Sequence, residues 1–143
     1  MPSSKLDLAL SLITAEEKKA ALIFTAAQND YASAEHSLKQ ALSYRAEYEE
    51  MSRGLRPSKF ALLNLRVARL FLADIDGLIE NQRNLLVTKN MALVERREHW
   101  QLLRARRKSI EAVIASRTKS SLLAEEKKEQ SQLDDIFGRA PRR

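Results

Sequence analysis

Cysteine is absent, which excludes disulfides, thiolate metal sites and cysteine nucleophiles together and fits a reducing compartment. Glycine and proline are scarce, three of each in 143 residues, and their positions are uneven. Pro2, Gly138 and Pro141 lie near the ends, Gly54 and Pro57 sit together, and Gly77 is the only other breaker. A chain of this length suits one domain, but a compact one would place turn residues throughout. Three glycines cannot supply a phosphate-cradling loop. No apolar run approaches the roughly 20 residues needed to span a bilayer. The first such stretch, Leu6–Ile13, is short, contains Asp7 and runs straight into Glu16, Glu17, Lys18 and Lys19, unlike a secretory signal. A soluble, cytoplasmic protein is the expectation.

Long breaker-free stretches rich in Ala, Leu, Glu, Lys, Arg and Gln favour helix by propensity, and no strand-like run bounded by turn signals appears. The fold class is therefore all-α. Ser4 with Asp7 is a candidate N-cap for a first helix over about residues 5–52. Thr14 with Glu17 is a second, which leaves a break near residue 14 open. From Leu6 the chain steps by four and three through Leu10, Ile13, Glu17, Ala20, Phe24, Ala27, Tyr31, Ala34, Leu38, Ala41, Arg45 and Tyr48. Eleven of those thirteen positions are apolar or aromatic, the spacing that keeps one seam against a partner helix in a left-handed coiled coil.

The segment 53–57, Arg-Gly-Leu-Arg-Pro, predicts the turn, with Gly54 suited to a left-handed cap and Pro57 to the start of the next helix. A second helix over about 58–137 carries a seven-residue recurrence, Leu72, Ile79, Leu86, Leu93 and Trp100. Beyond it Leu102, Leu103, Ile110, Val113 and Ile114 are crowded by arginine. So short a turn predicts a single antiparallel two-helix coiled-coil hairpin. Pairing about the turn centre sets residue 5 near residue 105 and leaves the second helix overhanging by about thirty residues, roughly 45 Å. It also sets Gly77 opposite residues 32–34, where close backbone approach is possible, a tolerated glycine on an open face being the alternative. An alanine-rich two-helix seam buries little, so a partner or an oligomeric bundle is expected to complete it.

Catalytic and ligand chemistry is missing. His36 and His99 lie in different helices, neither with a second ligand at metal spacing, and both read as surface or rim residues. A helical rod offers no cleft from which water is excluded, so neither catalysis nor a cofactor or metal is expected. The formal charge is +6, and the window Arg96–Lys119 carries eight basic residues against Glu98 and Glu111, an excess of six. That window suits an acidic partner, nucleic acid, a membrane surface or simply a solvated helix. Its interleaved apolar residues, and the lack of an asparagine placed to read adenine, argue against a basic-zipper role on DNA.

Three segments resemble the flagellar export FliJ family. They are Tyr44-Arg-Ala-Glu-Tyr48; Gly54-Leu55 followed by Phe71, Ile75 and Ile79; and the tail Leu123-Ala-Glu-Glu-Lys-Lys-Glu-Gln130 with Leu133-Asp-Asp135. Their order and separation carry the likeness more than any one of them. The resemblance implies a non-catalytic stalk and chaperone-escort component of the flagellar type III export apparatus. Its implied partners are the hexameric export ATPase, the cytoplasmic domain of the export gate and export chaperones, with association at the inner face of the membrane through those partners and no nucleic acid. It also implies a gate contact through Tyr44, Tyr48, Phe71, Ile75 and Leu78, with this chain departing from the family's better-known members at Ser37, Ala41 and Gln82. A ring contact is expected of Arg104, Arg106, Arg107 and Lys108, with Glu129 and Gln130 further along. The equivalent stalk of a virulence secretion system, a generic coiled-coil scaffold and a nucleic-acid-binding hairpin are the alternatives.

Overall fold

A computed structural model describes residues 5–54 and 59–138, with side chains described for 5–54 and 64–138. The candidate cap Ser4, most of the expected turn (Leu55, Arg56, Pro57) and the expected helix start Ser58 lie outside the described residues. Two helices make up the fold, α1 (Lys5–Arg53) and α2 (Lys59–Gly138), packed against each other as a helical hairpin, with no strand among the described residues.

Helix α1 runs through residue 14 unbroken. The Thr14 hydroxyl donates back to the Leu10 carbonyl at 2.7 Å instead of capping a new start, an i−4 bond that hydroxyl side chains make inside helices. At the other end the Gly54 N–H donates to the Met51 carbonyl at 3.2 Å and closes a tight final turn. Gly54 does not take the left-handed conformation expected of it. Its hydrogen bond reaches back only three residues, and a Cβ built there would meet Met51 O at an ordinary 3.5 Å.

The described residues form two compact units, one within residues 20–100 and one of residues 5–19 with 101–138. In the first, the α1 row Ala20, Phe24, Ala27, Tyr31, Ala34, Leu38, Ala41, Arg45 and Tyr48 is buried or half-buried throughout. On α2 the recurrence Leu72, Ile79, Leu86, Leu93 and Trp100 lies inward, joined by a second row through Ala68, Ile75, Gln82 and Lys89. Four cross-helix contacts set the register: Arg45 with Asp76, Tyr48 with Phe71, Asp30 with Lys89, and Phe24 stacked on Trp100 at 5.6 Å.

That register differs from the one expected from the turn. Symmetric pairing about residue 55 would set Arg45 against residue 65, whereas it meets Asp76. Helices of a coiled coil settle where their apolar rows interdigitate, and loop arithmetic does not override that packing. The slip displaces Gly77 from its expected place opposite residues 32–34. Gly77 is exposed, and an added Cβ would find nothing within 4 Å, so no close approach occurs there.

In the second unit Leu103 is the one buried side chain among the described residues. Leu6, Leu10 and Ile13 on α1, and Arg107, Ile110 and Ile114 on α2, are half-buried. Arg107 pairs with Glu17, and also bonds Glu111 at 2.9 Å. Twelve residues outward from Glu17, Lys5 comes level with about residue 119, where pairing about the turn had set residue 105. From residue 115 to residue 138 every side chain is exposed.

Candidate docking groove and terminal helix

Within residues 20–100 the paired tyrosines and Phe71 meet because of their helical spacing. Tyr48 is on the α1 seam and Tyr44 is one turn away on its flank. The ring centroids of Tyr48 and Phe71 lie 4.5 Å apart with the planes tilted by 44°, within the contact range of aromatic pairs. Tyr44 makes no such pair and is 61% exposed. Phe71 is 39% exposed and Leu78, one heptad further along the same α2 column, 51%.

Two shallow grooves adjoin at Tyr44. One, about 270 Å³, is lined by Ser37, Gln40, Ala41, Tyr44, Ile75, Leu78 and Gln82. The other, also about 270 Å³, is lined by Tyr44, Glu47, Tyr48, Met51 and Phe71. Both fall below the roughly 300–1,000 Å³ of small-molecule sites and are open surface grooves. Arg45 braces the helices beside them through Asp76 and, at 3.0 Å, Glu49. Its pKa is held above the ordinary value, first by the Asp76 hydrogen bond.

All five residues expected at a gate contact therefore border one surface, in two different ways. Tyr44, Phe71 and Leu78 are exposed, and Tyr48 is half-buried with its ring against Phe71. Ile75 is only 7% exposed, because it occupies the inward α2 row, so it supports the groove from beneath and is not an outward contact. Ser37, Ala41 and Gln82, noted only as departures, are groove walls. Met51 and Glu47 were missed. Met51 was within reach, since it follows Tyr44 by one heptad and sits 70% exposed.

The basic set expected at a ring contact is not one surface. Arg107 turns inward to Glu17 and Glu111, its side chain 23% exposed and that of Glu17 13%. Hydrogen bonding to Glu17, and next to Glu111, holds its pKa above the ordinary value. Unlike the other three basic residues of the set, it lies in the seam. Arg104 and Lys108 are exposed on one face, four residues apart, and the exposed Arg106 is two residues from each and points elsewhere. Glu129 and Gln130 are exposed about 30 Å further along α2. Around them Leu122, Leu123, Leu133, Ile136 and Phe137 stand in solvent.

His36 and His99 are exposed, and no described group of three or more His, Asp or Glu side chains is placed to hold a metal. No helix among the described residues is long and apolar enough to cross a membrane. No curated protein and no solved structure matches the chain. A family model does, that of the flagellar FliJ protein, over residues 2–143. With essentially the whole chain covered by that match, this protein belongs to the FliJ family of non-catalytic components of flagellar export.

Proposed function

We propose that the chain acts as the stalk of the flagellar export ATPase, with the exposed terminal stretch of α2 seated in the hexameric ring and the Tyr44 groove docked on the cytoplasmic domain of the export gate. The observation that carries this reading is the stretch 115–138, helical throughout with every side chain in solvent, five large apolar ones included. An isolated helix of that kind gains nothing from tertiary packing, and a surrounding channel would cover those side chains. Arg104 and Lys108, on one face, suit an electronegative rim at the channel mouth.

A single asymmetric helical element cannot touch six identical subunits equally. It favours closure of the interface it contacts, so ring closure and the angle of the stalk become coupled. In the same reading the protein promotes ring assembly, escorts emptied export chaperones, and resides in the cytoplasm at the membrane's inner face through its partners. No catalytic residue is assigned to it.

The test is the ATPase rate of the cognate export ATPase with and without the full chain, alongside electron microscopy of rings. Stimulation together with new hexamers is the expected result. A folded helical protein that gives neither would remove the stalk reading. Reversing Arg104 and Lys108 to Glu is expected to weaken ring binding, and unchanged stimulation by that variant would discard the basic rim.

A further inference from the structure

Among the described residues one buried side-chain polar atom lacks a hydrogen-bond partner, Oε1 of Gln82. It belongs to the inward α2 row that also carries Ala68 and Ile75, and Gln82 walls the groove beneath Tyr44. An unsatisfied carboxamide there is costly in the free chain, and an apolar side chain of similar length would pack the same place without that cost. Such an orphan calls for an explanation outside the seam. A terminal amide torsion is soft, so the carboxamide can turn from the seam into the groove when a hydrogen-bonding group arrives.

A second feature borders the same surface. Glu47 and Glu50 line the end of the groove around Met51. Neither makes an ion pair among the described residues, whereas Glu49 between them is held by Arg45 and Arg53. Phe71 and Leu78 repeat at seven residues along the wall, the spacing at which a third helix lays its own side chains.

We propose that the Tyr44 groove selects an amphipathic helix of its partner by chemistry. That helix seats apolar side chains between Tyr44 and Leu78. It presents a neutral hydrogen-bonding side chain (Asn, Gln, Ser or Thr) to Gln82, and it ends in Lys or Arg beside Glu47 and Glu50. Gln82 is thus a specificity residue: it weakens the free chain and discriminates against partner helices that are apolar at the facing position.

This inference rests on the docking reading above, and the experiment separates the two. Binding of the purified cytoplasmic domain of the export gate to the full chain is measured by calorimetry, and melting of the free chain by circular dichroism. Gln82→Met is expected to bind about tenfold more weakly, the scale of one lost buried hydrogen bond, while its melting temperature stays level or rises. An unchanged affinity overturns the inference, and so does a fall in both affinity and melting temperature, which would mark Gln82 as a seam residue only. Glu47→Gln with Glu50→Gln is expected to flatten the loss of affinity with salt, and an unchanged salt slope would discard the basic end. Phe71→Ala tests the docking itself. If it abolishes binding and Gln82→Met does not weaken it, the inference alone fails. If Phe71→Ala binds like the parent, or the parent does not bind, the docking reading falls and the inference with it.

Discussion

The two units close their helices by different means. In residues 20–100 the seam is mainly apolar: Ala20, Ala34, Ala68, Ile75 and Ile79 are buried, and two aromatic pairs, Phe24 with Trp100 and Tyr48 with Phe71, cross it beside the ion pairs of Arg45 with Asp76 and Lys89 with Asp30. In residues 5–19 with 101–138 only Leu103 is buried, and the neighbouring layer is ionic, Arg107 held between Glu17 and Glu111. Apolar burial acts over the whole area removed from water, whereas an ion pair depends on geometry and salt. The first unit is therefore expected to be the more stable of the two, and the second the more easily opened.

The largest effect that could break this contrast is expected at Ile79, 5% exposed in the first unit. Ile79→Ala should cost about 2–4 kcal/mol, read as a large drop in the main helical melting transition. Leu103→Ala removes a side chain just as buried, 4% exposed, but in the second unit. It should leave the main transition nearly in place and speed hydrogen exchange over residues 5–19. Equal drops for both variants would mean that the units unfold as one body.

Gly77→Ala sharpens the register. The added methyl enters open space on a helical face, so the variant should gain about 0.5–1 kcal/mol of stability. A loss would restore the close approach that loop arithmetic suggested. Glu17→Gln is expected to act more weakly than Leu103→Ala, raising exchange over residues 5–19 and removing its dependence on salt. The smallest effect is expected from ending the chain after Ile114. Nothing described beyond it is buried, so the melting transition should not move, while stimulation of the ATPase should disappear. A clear fall in melting temperature would show that residues 115–138 pack against something.

Much of this was legible in the sequence, and what was not has physical causes. All thirteen positions of the α1 row face inward, the polar Glu17 and Arg45 included, because a seven-residue repeat fixes a helix face whatever occupies it. The companion α2 row through Gln82 and Lys89 was harder to see, since polar side chains with long stems hide an inward position. Register was not legible, because it depends on two rows fitting together and not on either alone. The inward role of Arg107 follows from the same limit: its partner Glu17 is 90 residues away, and no local pattern announces the pair. The Tyr44 surface was visible through its aromatics, while Met51 and Glu47 needed the heptad to be carried one step further.

The solvated stretch 115–138 has one more consequence, for the lifetime of the protein. No described side chain among those 24 residues is buried, so this part of the helix is expected to open locally more readily than the packed part. Copies with nothing covering this stretch are expected to be trimmed first within it. Limited proteolysis of the free chain, followed by mass analysis, should place the earliest cuts after residue 114.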